Sequence, residues 1–432
     1  MRGARAGRAA DRAPARGQPH DDPPSGHVGA QRGHRPAGAR RSRRGFGRFL
    51  ATVVLWQLVC WSIVGGLLAP VVPGGWWTVG VTAVATLAPL GALVLGFRRR
   101  MYPGALFRLL VLRPFWYAQL LLPLLAAAGL VGIVAGLPFG AAGTAGRALL
   151  AVVASIATLI GLAGYAGTRR LVVQQVVASW PDLPPGLDGL RIVQISDVHV
   201  GPHTPRRHLR SVARAVREAA PDVVAVTGDL VDDHAPDVAH YAAGLGALSA
   251  PLGVYAIPGN HDVYAGWEGV RAGLEQLPLT VLVNDARVVE RGGSRLAIVG
   301  TGDPAGRWGG EGSAAPDVRA ALAHVPDDAF PVVLAHNPAL WPSLAERGVP
   351  LTLSGHTHWG QFAVPSLGWS LATPFLEHAM GTYERGRSLL YINPGTNYWG
   401  IPFRLGTLPE VAVVTLRRGP LGITRAPSAR RA

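Results

Sequence analysis

The stretch that decides the fold is LRIVQISDVH at residues 190–199, where an apolar run ends in an aspartate and a histidine. Short β-branched runs of this kind predict strands. Three later stretches have the same form, namely VVAVTGD at 223–229, VYAIPGNH at 254–261 and LTLSGHTH at 351–358. Because α/β folds place functional side chains at the carboxyl ends of strands, these four polar ends predict one shared site.

The surrounding region, from Leu171 onward, alternates short apolar runs with Gly, Pro and Asp turns and with helical segments such as 205–220. This alternation predicts an α/β or α+β fold. The predicted strands are 171–177, 190–195, 223–226, 253–257, 296–299, 332–334, 351–353, 389–392 and 411–416.

The amino-terminal part of the chain differs in charge from the rest. Residues 1–48 hold twelve Arg and three Asp, so they supply 12 − 3 = +9 of the formal +15 of the 432-residue chain. They show no apolar periodicity, and we expect residues 1–48 to be a disordered tail. From Asp22 to Asp182 the chain has no other Asp or Glu. A basic tail followed by uncharged apolar segments indicates a membrane protein rather than a nucleic-acid-binding one.

Four apolar segments predict an all-α transmembrane region of about four helices within residues 49–170. Each has about the 20 residues that span a bilayer, and they are 49–72, 78–97, 114–139 and 148–167. Arginines precede the first segment and fill the connector between the second and third, which predicts that both lie on the cytoplasmic side. These segments predict a multi-pass protein of the cell membrane whose later part, residues 171–418, lies in the cytoplasm. Residues 419–432 are expected to be a second disordered tail.

A competing signal concerns the side of the membrane. The stretch SRRGFGR at 42–48, directly before an apolar run, resembles a twin-arginine export signal. An exported chain would place residues 171–418 outside the cytoplasm. The sequence leaves this alternative open beside the cytoplasmic one.

The polar motifs after the strands are rich in metal-binding groups. The carboxylates, imidazoles and one amide suit Zn, Mn or Fe better than Ca or Mg. In chain order the motifs are D-x-H at 197–199, GDxxD at 228–232, GNHD at 259–262, the lone His336 and GHxH at 355–358.

This order of motifs resembles that of the calcineurin-like metallophosphoesterase family over about residues 171–418. The resemblance implies an α+β fold, the four-layer αββα sandwich of that family, with two divalent transition-metal ions (Mn, Fe or Zn). It implies Asp197, His199 and His358 as ligands of the first ion, Asn260, His336 and His356 as ligands of the second, and Asp229 as a bridge between them. Such ions acidify water, which becomes the nucleophile that attacks a phosphoester.

The resemblance also assigns two catalytic residues. His261 matches the family histidine that donates a proton to the leaving group, and Asp232 matches the carboxylate that orients it. A contact to the phosphate alone is the alternative for His261, and capping of a helix is the alternative for Asp232. Glycines 228, 259 and 355 are expected to let the backbone turn sharply beside the ions.

The substrate class follows from two further features. Protein phosphatases of this superfamily continue GDxxD with Arg, whereas Asp233 stands here. Segments 381–385 and 393–410 resemble a branch of bacterial membrane-associated phosphodiesterases, which implies lipid or cell-envelope phosphodiesters. Within the second segment, Arg404 and Tyr398 either contact substrate or pack the loop.

Other functions stay open at this stage. A phosphomonoesterase acting on a small or nucleotide substrate would use the same core. A transporter with a regulatory metal-binding domain is the alternative of another class. The absence of acidic residues from the apolar segments argues against transport, since transport paths usually contain ionisable groups.

Overall fold

The computed structural model describes residues 37–99, 105–201, 203–308, 314–426 and 429–430. The predicted tail of residues 1–36 lies outside this range. The backbone of 37–48, also predicted as disordered, instead forms the start of a helix, in keeping with the helix propensity of its Ala and Arg residues.

Apolar helices make up the first part of the described chain. They are α1 (Ala37–Leu68), α2 (Trp76–Arg99), α3 (Ala105–Phe107), α4 (Arg113–Gly136) and α5 (Ala142–Gly167), with a π-helical turn, Arg108–Leu112, leading from α3 into α4.

Three of these helical regions are long and apolar enough to cross a membrane, against the four that the sequence predicts. They are Ala51–Leu68, Leu109–Phe139 and Ala142–Gly167. The remaining predicted segment, 78–97, falls within α2, whose described apolar stretch is the shorter Trp76–Ala88.

Helices α4 and α5 pack closely as an antiparallel pair. A Cβ added at Gly132 of α4 would lie 2.6 Å from the carbonyl oxygen of Ala145 of α5. Small residues allow this approach between apolar helices, where close packing replaces the hydrophobic effect. The buried Gln57 of α1 donates to the side-chain oxygen of Gln119 of α4 over 2.7 Å, which links these two helices by a polar contact.

The remaining chain forms two large sheets. The first has the order β15-β1-β14-β2-β3-β4-β5, with β16 also paired to β1. Its strands are β1 (Val172–Trp180), β2 (Arg191–Ile195), β3 (Val223–Thr227), β4 (Val254–Ile257), β5 (Thr280–Val281), β14 (Glu410–Arg418), β15 (Gly422–Arg425) and β16 (Ala429–Arg430).

The second sheet has the order β12-β13-β9-β8-β7-β6. Its strands are β6 (Asp285–Arg291), β7 (Ser294–Gly300), β8 (Ala329–Leu334), β9 (Leu351–Ser354), β12 (Gly381–Arg385) and β13 (Ser388–Ile392), and a separate hairpin is formed by β10 (Ala363–Val364) and β11 (Trp369–Ser370).

Alternation along the strands places apolar side chains on both faces of each sheet. In β3, Val223 and Ala225 enter the core between the sheets, whereas Val224 and Val226 enter the core under the outer helices. The helices after α5 are α6 (Arg206–Glu218), α7 (Asp237–Leu245), α8 (Asn260–Tyr264), α9 (Trp267–Leu274), α10 (Val318–Leu322) and α11 (Trp341–Ala345).

Three apolar cores define the layers of this part of the fold. One lies between the first sheet and α6, α7 and α9, a second lies between the two sheets, and a third lies between the second sheet and α10 and α11. This arrangement is the predicted four-layer αββα sandwich.

All nine predicted strands occur near their predicted positions, but the carboxy-terminal prediction was wrong. Residues 419–432 contain β15, which pairs antiparallel with β1. The two strands pair from Val176 with Arg425 to Ser179 with Gly422, so each strand has its partner more than 240 residues away in the sequence. A local sequence pattern carries no signal of such a partner.

Candidate metal centre

The candidate site lies where the carboxyl ends of five strands meet. Strands β2, β3 and β4 run parallel in the first sheet, and β8 and β9 run parallel in the second. All seven predicted ligands follow these strands directly, and the structure brings them together at one edge of the sandwich.

The first cluster contains Asp197, His199 and His358, all of them buried. The Nε2 atoms of the two histidines lie 3.1 Å apart, and Nε2 of His358 lies 3.2 Å from Oδ1 of Asp197. Three donor atoms therefore face one small volume.

The second cluster contains Asp229, His336 and His356, joined by Asn260. The side-chain oxygen of Asn260 lies 2.7 Å from Nδ1 of His356 and 3.2 Å from Nε2 of His336. Nδ1 of His336 donates to the carbonyl of Thr227 over 2.8 Å, which turns Nε2 toward the cluster. This is the ring orientation that a metal-binding histidine requires.

Asp229 stands between the two clusters. Its Oδ2 atom lies 3.2 Å from Nε2 of His336 and 3.8 Å from Nε2 of His199. A carboxylate in this position can contact cations held by either cluster.

The backbone at the site is strained. Among the described residues, nine non-glycine residues have positive φ, and five of them, with φ between 44° and 72°, are candidate ligands: Asp197, His199, Asp229, His356 and His358. Such conformations cost about 1–3 kcal/mol each and persist where the surrounding structure holds them. The strand-to-loop turns thus point these side chains toward one another against local preference.

The prediction that glycines 228, 259 and 355 let the backbone turn sharply holds in part. Gly228 has a φ of 85° and makes a turn that other residues rarely adopt. Gly355 is not in the left-handed region, but a Cβ there would lie 1.9 Å from Oγ of Ser196. Its role is to allow close approach of the chain rather than a sharp turn.

The electrostatics of the site favour cations. Burial opposes ionisation of Asp229, but His336 and His199 hold the pKa of its carboxyl below the usual range. Burial and the neighbouring His336 lower the pKa of His356 to about 4. Burial and the Arg404 guanidinium hold the pKa of His358 well below its usual value. His356 and His358 are therefore neutral near pH 7, the form in which imidazole binds a metal.

His261 and Asp232 lie beside the clusters, but their contact differs from the predicted one. Nδ1 of His261 donates to the main-chain carbonyl of Asp232 over 2.7 Å, and the His261 amide donates to Oδ1 of Asp229 over 2.8 Å. The carboxylate of Asp232 instead faces Nδ1 of His199 at 3.6 Å. The turn of the GDxxD motif presents the backbone rather than the side chain of Asp232 to His261.

Arg404 is fully buried behind the first cluster. Its Nη1 donates to the carbonyls of His358 (3.0 Å) and Pro394 (2.6 Å), and its Nη2 lies 3.0 Å from Nδ1 of His358 and also bonds the carbonyl of Asn397. Of the two roles that the sequence left open for Arg404, the structure shows packing and positioning. Burial lowers the pKa of its guanidinium to about 9, so the side chain stays charged at neutral pH.

The main chain around Arg404, residues 401–405, is here called the closing segment. The Arg404 amide donates to the carbonyl of Gly164 in α5 over 2.9 Å, and a Cβ added at Gly167 would lie 1.9 Å from the Arg404 carbonyl. The closing segment therefore contacts both a membrane-type helix and a candidate metal ligand.

A second group of residues behind the first cluster was not predicted from the sequence as part of the site. Arg425 of β15 lies over the buried ring of Trp359, with its guanidinium carbon 4.6 Å from the ring centroid. It also donates to Glu410 over 2.8 Å, and Glu410 accepts from the hydroxyl of Tyr391. Trp359 directly follows His358, so this group supports the turn that presents that ligand.

Comparison with known proteins places the chain in a family. The family model for calcineurin-like phosphoesterases matches residues 190–360. The uncharacterized metallophosphoesterase YkuE of Bacillus subtilis is 31% identical over 242 residues, which are 54% of this chain and 82% of YkuE. The chain belongs to the calcineurin-like phosphoesterase family. Membership implies a hydrolase of phosphoesters, and metal dependence is general in this family.

A second relative of this calcineurin-like phosphoesterase is named as a membrane protein. The "Transmembrane protein with metallophosphoesterase domain" of Danio rerio is 35% identical over 246 residues, which are 55% of this chain. The alignment spans about half of that relative's length, 55%. Among solved structures, a 5'-nucleotidase precursor from Thermus thermophilus matches 49% of this chain and 49% of its own at 19% identity, with a TM-score of 0.35.

Proposed function

We propose that this phosphoesterase is anchored in a membrane and hydrolyses phosphodiester bonds of lipid or cell-envelope substrates at a centre of two divalent transition-metal ions. The observation that carries the proposal is the convergence of seven oxygen and nitrogen donors into two clusters with Asp229 between them.

The donor set fits two such ions. Asp197, His199 and His358 would hold one, Asn260, His336 and His356 would hold the other, and Asp229 would contact both. Buried carboxylates and imidazoles are costly unless they are paired or bind a metal, and here they face one another across 2.7–3.8 Å. Mixed Asp, His and Asn ligands suit Mn, Fe or Zn.

The bound ions would supply positive charge to the phosphate oxygens and lower the pKa of water. The chain itself supplies the remaining chemistry. Strained backbone at five of the ligands keeps their side chains in place before substrate arrives. Arg404 contacts the ring of His358, and the carboxylate of Asp232 faces the ring of His199 at 3.6 Å.

His261 is the proposed proton donor to the leaving group. Because Nδ1 donates to the Asp232 carbonyl, Nε2 is the ring nitrogen left to carry a proton toward substrate. The His261 ring packs edge-on against Trp399 and Tyr264, at 5.3 and 5.8 Å between centroids. These contacts and the bond from Nδ1 to the Asp232 carbonyl fix the ring without using Nε2.

Anchoring rests on the apolar helices and on the relative named as a transmembrane protein. The described part of these helices contains no Asp or Glu, and the polar side chains of Gln57 and Gln119 bond each other in the interior. An anchor therefore accounts for the helices better than a transport channel does.

The test of the activity is metal analysis of the purified protein together with hydrolysis of bis-p-nitrophenyl phosphate and p-nitrophenyl phosphate. We expect about two transition-metal ions per chain and faster cleavage of the diester. Protein that binds no transition metal and cleaves neither ester contradicts the proposal. Faster cleavage of the monoester would indicate the phosphomonoesterase alternative.

The side of the membrane on which the catalytic part lies depends on whether α2 crosses the bilayer. We propose that it does, so that α1, α2, α4 and α5 return the catalytic part to the arginine-rich, cytoplasmic side. Two separate fusion proteins test this topology in a bacterial host, with alkaline phosphatase attached after Gly75 in one and after Ala432 in the other. Alkaline phosphatase is active only outside the cytoplasm. Activity at Gly75 alone supports this topology. Activity at Ala432 means that the catalytic part is exported.

A further inference from the structure

An apolar groove lies between α4 and α5. Its volume is about 390 Å³, and its walls include Leu120, Leu121 and Leu124 from α4 and Val153, Ile156 and Ile160 from α5. Leu120, Leu124, Ile156 and Ile160 are each 44–52% exposed, so the groove is open along one side. Both helices are long enough to cross a membrane, and the open side of the groove is therefore available to lipid.

The catalytic part of the chain closes one end of this groove. Tyr117, Gly161 and Phe403 lie there, and the hydroxyl of Tyr117 donates to the carbonyl of Pro402 over 2.6 Å. The ring of Phe403 lies so close to Gly164 that a Cβ added to this glycine would be 2.2 Å away. The groove thus ends on the closing segment, which also carries Arg404.

Positive charge lies about one helical turn beyond that end. Arg113 precedes Tyr117 by four residues, and Tyr165 follows Gly161 by four. The guanidinium groups of Arg113 and Arg169 lie 4.7 and 4.5 Å from the centroid of the Tyr165 ring. Among the described residues, neither arginine forms an ion pair with a carboxylate. Guanidinium groups bind phosphate well, so this end of the groove is complementary to an anionic headgroup.

The closing segment connects this end of the groove to the candidate metal centre. Arg404, next to Phe403, contacts His358, and Trp399 contacts His261. Trp399 is 48% exposed and Tyr264, on the other side of His261, is 65% exposed. Exposed aromatic residues of this kind are favoured at the surface of a membrane.

We infer that the groove holds one acyl chain of a membrane phosphodiester whose headgroup lies at the Arg113 and Arg169 end, and that lipids bound in this way are substrates. This inference rests on the proposed function. It adds that substrate reaches the centre from the bilayer, with its chain held by α4 and α5. Hydrolysis breaks one P–O bond of the bound lipid, and water supplies the hydroxyl to phosphorus and the proton to the departing alcohol.

Binding is tested without reference to activity. The full chain is placed in phosphatidylcholine nanodiscs that contain phosphatidylglycerol with a photoreactive diazirine in its acyl chain. We expect crosslinks on residues 117–124 and 153–161. Gly161→Leu fills the groove and is expected to lower their yield about tenfold. Gly80→Leu is the matched control, because a Cβ at Gly80 in α2 meets no atom within 4 Å.

Ala157→Leu fills the same groove from a second position and guards against a folding defect in one variant. Crosslinks spread evenly over α1, α2, α4 and α5 contradict the inference. So do crosslinks on 117–124 and 153–161 that persist in both groove-filling variants.

Activity then separates a substrate site from a structural lipid site. Long-chain phosphatidylglycerol is compared with a short-chain form and with bis-p-nitrophenyl phosphate. We expect Gly161→Leu to lower kcat/KM about tenfold for the long-chain lipid only. Equal cleavage of long-chain lipid by wild type and variant overturns the inference while leaving the phosphoesterase in place. Failure of wild type to cleave any ester instead overturns the proposed function, and the crosslinks still report on the groove.

Discussion

The two clusters of the candidate metal centre differ in what holds them in place. Asp197, His199 and His358 are buried and are supported by residues distant in sequence, chiefly Asp232 and Arg404. In the second cluster, His356 and Asn260 are only partly buried, and their side chains bond mainly within the cluster. The first cluster is therefore tied to the rest of the protein, including α5, whereas His356 and Asn260 make the second cluster more accessible to solvent.

This difference in support suggests that the two clusters have different roles. A rigid, enclosed site keeps its ion, and an open site can exchange ligands with an arriving phosphate. Supporting residues behind metal ligands commonly change metal affinity 10–100-fold when removed. Four substitutions test the centre, and two of them, Arg404→Met and Arg425→Gln, test whether the support of the first cluster matters in this way.

Asp229→Asn is expected to have the largest effect, because Asp229 lies between both clusters. Loss of its charge should reduce metal content at both sites and lower turnover of bis-p-nitrophenyl phosphate about 10³-fold or more, since bound ions supply several kcal/mol of transition-state stabilisation. Metal analysis and steady-state kinetics measure the two effects. Retention of two ions and of full activity would show that Asp229 does not connect the clusters.

His261→Ala should lower turnover by about 10²–10³-fold with both ions retained, the range of general acid catalysis. The loss should be smaller for bis-p-nitrophenyl phosphate than for a dialkyl phosphate, because p-nitrophenolate leaves readily without a proton. An equal loss for both substrates would support a contact to phosphate instead. Loss of an ion would make His261 a ligand.

Arg404→Met should weaken metal binding at the first cluster about 10–100-fold and leave the second unchanged. Titration with a chelator then removes one ion before the other. The matched control is Arg417→Met on β14, where the arginine is half exposed and pairs only loosely with Asp188 at 3.9 Å. Parallel loss of both ions, or unchanged affinity, would show that the two clusters are not supported differently.

Arg425→Gln should have the smallest effect. It removes the contact with the Trp359 ring and the bond to Glu410, at a cost of about 1–2 kcal/mol in the free energy of unfolding. Thermal unfolding should occur several degrees lower, with turnover changed less than about threefold. A large loss of metal would instead place Arg425 with Arg404 as a determinant of the first cluster.

The sequence predicted most of the fold because the strands are local apolar runs. Among the strands that it missed are β6 (DARVVER, 285–291), whose charged residues interrupt the run, and β15, which is defined only by its partner β1. The candidate ligands were predictable because each stands directly after such a strand, and the structure gathers them at one edge.

Contacts behind the ligands could not be read from the sequence. Arg404 is separated from His358 by 46 residues, and its contact with Gly164 spans a far greater distance along the chain. The role of Asp232 differed for another reason, since spacing fixes which residue is near His261 but not whether its carbonyl or its carboxylate makes the contact.

The closing segment has a consequence for how the protein is made. Synthesis proceeds from the amino terminus, and domains fold as their residues emerge. Helix α5 and all seven candidate ligands therefore leave the ribosome before Arg404, which sets the ring of His358 and bonds the end of α5. Under the proposed topology α5 is already in the membrane at that point, so a nascent chain lacks the support of its first cluster until the closing segment docks on this helix. That topology would couple maturation of the hydrolase to its arrival in the membrane.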